Sequence, residues 1–132
     1  MTTYEAIRNA LVQLGVDKLV DGRIRPDMAF SYDSPPLIVV ECRNSEPVAT
    51  LDSNLGFQQS FTFEIYAATR GEAISLVNAV REIETVTIED GDDIFEFVCE
   101  DSSDETVLAH PEKGEPEYKT TLNVTVFCRH AV

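Results

Sequence analysis

Residues 57 to 83 read FQQSFTFEIYAATRGEAISLVNAVREI, an alternating strand that runs directly into an amphipathic helix. Phe57, Phe61, Phe63 and Ile65, with Gln59 among them, fall on one face of the strand. Gln58, Ser60, Thr62, Glu64 and Tyr66 fall on the other. A period of two places one face against a core and leaves the other wetter, the pattern of an antiparallel sheet. Thr69 and Glu72 stand in the spacing of a capping box, where two side chains satisfy backbone N–H groups that a helix start leaves without partners. Ile74, Val77, Val80 and Ile83 then follow at helical spacing, and Ala73 and Leu76 widen the apolar stripe. The run therefore predicts a helix laid on an antiparallel sheet, with Phe61, Phe63, Ile65, Leu76 and Val80 in the core. It contains no catalytic group and is built for packing and assembly.

The rest of the chain extends the same architecture. Thr2 and Glu5 form a second capping box, and Ile7, Leu11 and Leu14 share one helical face until Gly15. Asp21-Gly22 marks a turn before a short strand over Arg23 to Arg25, which Pro26 stops. Residues 27–36 read as a loop. The apolar run LIVVEC, Leu37 to Cys42, predicts a central strand covered on both faces. A loop is expected from Asn44 to Gly56. Val86 to Ile88 and Ile94 to Glu100 predict two strands about the turn Asp90-Gly91-Asp92-Asp93. Asp101 to Glu117 reads as a polar excursion, and Tyr118 to Arg129 as a long last strand whose unpaired edge is available to another subunit. The fold class is α+β: a single domain over residues 1–132, mainly antiparallel sheet, with an N-terminal helix and a second helix packed on it.

Charge separates this chain from whole classes of function. It carries a formal net charge of −14, and residues 82–117 hold 14 acidic residues against one basic residue, Lys113. Affinity for nucleic acid comes mainly from Lys and Arg on phosphates, so specific nucleic-acid binding is not expected. Anionic membrane surfaces are disfavoured for the same reason, and no apolar run is long enough for a spanning helix. The N-terminus lacks the basic start and apolar stretch of a signal peptide, which places the chain in a cytoplasm or in something assembled there. The acidic segment reads either as a solvated face or as a surface facing a basic partner or repelling passing DNA. Cys42, Cys99 and Cys128 each fall on the apolar side of a strand and read as reduced core thiols.

Catalytic chemistry is nearly absent from the pattern. The two histidines, His110 and His130, stand in no metal-ligand spacing, so no metal or cofactor is expected. Glu89, Asp90, Asp92 and Asp93 lack the alternation and the closing glutamate of a calcium loop, and read as an acidic turn. No Gly-rich phosphate loop and no nucleophile elbow occurs. A carboxylate pair made by the fold stays open, and a small enzyme is the most distant reading.

In element order the chain resembles the tail terminator proteins of long-tailed bacteriophages, the small tail-completion subunits that close the head-proximal end of the tail tube. The resemblance lies in an N-terminal helix with IRNALVQL, a short GRIRPD strand and turn, PPLIVVEC, the FTFEIYAATRGEAISLVNAV strand and helix, and a closing β-rich region ending in KTTLNVTVF. It covers almost the whole chain as a pattern, without a diagnostic residue motif, and the acidic excursion departs from it. The resemblance implies a non-enzymatic homo-hexameric ring in the virion, assembled in the host cytoplasm. Its partners would be the tail tube protein and the head connector or completion protein, with DNA passing through unbound. Glu89, Asp90, Asp92, Asp93, Asp101, Asp104 and Glu105 are the candidate acidic surface facing the lumen or a partner ring. Two other readings stay open, another head–tail joining subunit of the virion and an acidic dimeric secretion-type chaperone.

Overall fold

The computed structural model describes residues 1–29, 33–47, 56–100, 105–109 and 116–130. At its start the Thr2 hydroxyl accepts a hydrogen bond from the Glu5 N–H at 3.1 Å, and the Glu5 carboxylate accepts one from the Thr2 N–H at 2.8 Å. This closed capping box opens α1 (Thr3–Gln13), which buries Ala6, Ile7, Ala10 and Leu11. Gly15, at φ 76°, adopts the left-handed conformation that glycine tolerates and leads into α2 (Val16–Leu19). A four-residue helix leaves no periodicity to read, and the sequence does not announce it. Asp21 and Gly22, both at positive φ, turn the chain into β1 (Ile24–Pro26).

β2 (Leu37–Pro47) pairs parallel with β1 and antiparallel with β3 (Gly56–Ala67). The loop expected from Asn44 begins later: β2 passes a register shift between Cys42 and Asn44 and stays paired to β3 as far as Pro47. The long partner strand supplies ladder hydrogen bonds that local sequence does not reveal. α3 (Arg70–Arg81) leads through a 3-10 turn, Glu82–Thr85, to β4 (Thr87–Asp90), β5 (Asp93–Cys99), β6 (Glu105–Ala109) and β7 (Pro116–His130). The sheet order is β1-β2-β3-β7-β5-β4, with β6 also on β7. The polar excursion therefore contains a strand, because the backbone of Glu105 to Ala109 pairs antiparallel with Thr120 back to Pro116. β7 has β3 along one edge and β5 and β6 along the other, so its edges are used within the subunit. The expectation of a free edge on the last strand is overturned: its length lets it serve three partners and makes it the centre of the sheet.

All three α-helices contribute to one core with the inward face of this curled sheet. Ile38 and Val40 of β2, Phe61, Phe63 and Ile65 of β3, Leu122, Val124 and Val126 of β7, and Phe95 and Phe97 of β5 meet Ile7 and Leu11 of α1 and Leu76 and Val80 of α3 there. The apolar stripe of α3 runs through Ala73, Leu76 and Val80 to Ile83 of the following turn, while Val77 is only partly buried and Ile74 lies in solvent. A single seam against β3 and β7 is narrower than the stripe in the sequence. At the start of α3 the Thr69 hydroxyl accepts from the Glu72 N–H at 3.2 Å, but Glu72 reaches back to the Ala68 N–H at 3.0 Å instead of to Thr69.

Leu37 to Val40 are all buried, as the continuous apolar run predicts. Cys42 is exposed although it shares the inward side of β2, because it lines an open concavity at the start of α1. On the outward side Arg25, registered beside Val39, forks onto Asp33 with Nε–Oδ2 and Nη2–Oδ1 both at 3.1 Å. This pair ties the end of the 27–36 loop to the sheet.

Candidate functional site

The carboxylates singled out by charge fall into different roles. The turn between β4 and β5 has Gly91 at φ 60° and Asp92 exposed at its tip. Asp90 pairs with the Met1 ammonium at 2.8 Å, and this hydrogen bond raises the pKa of the amine. Asp93 contacts Nδ1 of His130 at the end of β7. Asp90 and Asp93 are thus committed to partners inside the subunit, while Glu89 and Asp92 stay exposed. Glu105 begins β6, and Asp101 and Asp104 lie outside the described residues. The seven candidates therefore do not form one described acidic site. Among the described residues no three His, Cys, Asp or Glu side chains could hold a metal ion, and no helix is long and apolar enough to cross a membrane.

The feature that charge alone does not reveal is the outward face of the sheet. Alternation sends Ile94, Glu96 and Val98 of β5 outward, together with Thr125, Phe127 and Arg129 of β7. Phe127 keeps 37 % of its surface in solvent and Val98 45 %. They share a shallow cavity of about 440 Å³ with Glu84, Val86, Thr87, Glu96 and Phe97. Carboxylates surround it: Glu84 accepts from the Cys99 N–H at 2.6 Å, Glu100 accepts from the Thr125 hydroxyl at 2.9 Å, and Glu96 accepts from Arg129 at 2.9 Å. The signal for this patch is present in the sequence as apolar residues out of phase. Val98 stands between the inward Phe97 and Cys99, and Phe127 between the inward Val126 and Cys128. Such residues on the wetter face have no core to enter.

A second concavity, about 510 Å³, opens at the start of α1, lined by Met1, Tyr4, Pro26, Cys42, Phe57, Gln59 and Phe61 among others. The Tyr4 hydroxyl donates to the Ile24 carbonyl at 3.2 Å, and burial pushes its phenol above the ordinary value. The three thiols accordingly differ. Cys42 is open to solvent, which corrects the expectation of three core thiols. Burial, then the nearby Glu84, pushes the Cys99 thiol up to about 11, and burial also raises Cys128. The thiolate is the reacting form, so at neutral pH Cys42 is expected to take up N-ethylmaleimide first and alone. Intact-mass analysis checks this: one adduct in the native protein and three in denaturant. Equal labelling of all three in the folded protein would contradict the burial described here.

No model of a known protein family matches the chain, and no curated protein matches it.

Proposed function

We propose that this chain is a structural virion protein that forms a ring on the head-proximal end of a phage tail tube. In that role it ends tube polymerisation and presents the surface to which the head joins. The observation that carries the reading is a subunit with two unlike layers: helices cover one face of the sheet, and on the other face Phe127 and Val98 of β7 and β5 stand exposed among carboxylates. Two unlike surfaces on opposite sides of a subunit suit a heterologous contact, and a heterologous contact generates a ring when its rotation closes. The order of helices and strands, which resembles that of tail terminators, adds to it. A net charge of −14, with Glu89 and Asp92 exposed, suits a channel through which DNA slides without adhering, because like charges repel and few cations are present to hold phosphates.

The test is the mass in solution by native mass spectrometry or light scattering across a concentration series. A species at six times the 14.7 kDa chain mass, seen as a ring in negative stain, is the expected result. A tight dimer unchanged by dilution would sink the ring. Binding to isolated tail tubes rather than to head connectors then separates the terminator from its neighbour in the same junction.

A further inference from the structure

We draw no further inference here: the strongest candidate, the open concavity at the start of α1 where Tyr4, Cys42 and Gln59 stand among Phe57 and Phe61, carries nothing because its frame holds both Asp27 and the Met1 ammonium and nothing in the structure shows what fills it.

Discussion

Phe63→Ala is expected to destabilise the folded chain by about 3–5 kcal/mol, the usual cost of emptying a buried aromatic site. Phe63 is fully buried at the middle of β3, registered between Val40 of β2 and Leu122 of β7, themselves buried. Inward neighbours are fixed by ladders on both sides, so the surroundings can collapse only in part around the cavity. A domain of this size is stable by only about 5–15 kcal/mol, so the loss takes a large share of the total. Thermal unfolding should fall by roughly 10–20 °C, and the urea midpoint should drop with the slope unchanged. A loss below about 1.5 kcal/mol would mean that Phe63 is not at the centre of the core.

Arg25→Leu is expected to cost about 3 kcal/mol for a different reason. The Asp33 side chain is 1 % exposed, and both of its oxygens accept from the Arg25 guanidinium. Removing the cation takes away the guanidinium from which both Asp33 oxygens accept, in a site the carboxylate cannot leave without unfolding the end of the 27–36 loop. The expected value sits at the lower end of the range for buried pairs, because Arg25 itself keeps 22 % of its side chain in water. The double variant Arg25→Leu with Asp33→Leu should recover much of the loss, since replacing both partners removes the buried charge together with its fork. Urea unfolding of the two single variants and the double variant forms the cycle that reads the coupling. Additive losses would show that the fork contributes nothing beyond its separate side chains.

Phe63 is buried in the core, so the stability lost with it can be measured apart from any loss of assembly. The two kinds of residue also differ in how they announce themselves. Phe61, Phe63 and Ile65 stand in phase with a period of two, and a side chain in phase with its own strand is buried wherever that strand is placed. Asp33 has no such signal: it stands eight positions along the chain from Arg25, and only the tertiary fold beside the parallel pair β1 and β2 brings them together. Phe127 and Val98 are apolar residues out of phase with their strands, which the sequence reading passed over, and which residues share their cavity depends on strand order.

Local chemistry determined the helix starts at Thr2 and Thr69, the turns at Gly15, Asp21-Gly22 and Gly91, and the division of β3 into a core face and a wetter face. Each of these follows from side chains within a few positions of one another, where hydrogen-bond reach and backbone preference act without reference to the rest of the chain. Tertiary structure alone decided that β7 lies at the centre of the sheet, that β6 pairs within the acidic excursion, and that Cys42 lines an open concavity and not the core. It also decided that Asp90 and Asp93 are bound to Met1 and His130 and that Phe127 shares a cavity with Glu84. The reason is that strand pairing and burial join residues far apart in sequence, and their alternatives differ in energy only once the whole sheet is assembled.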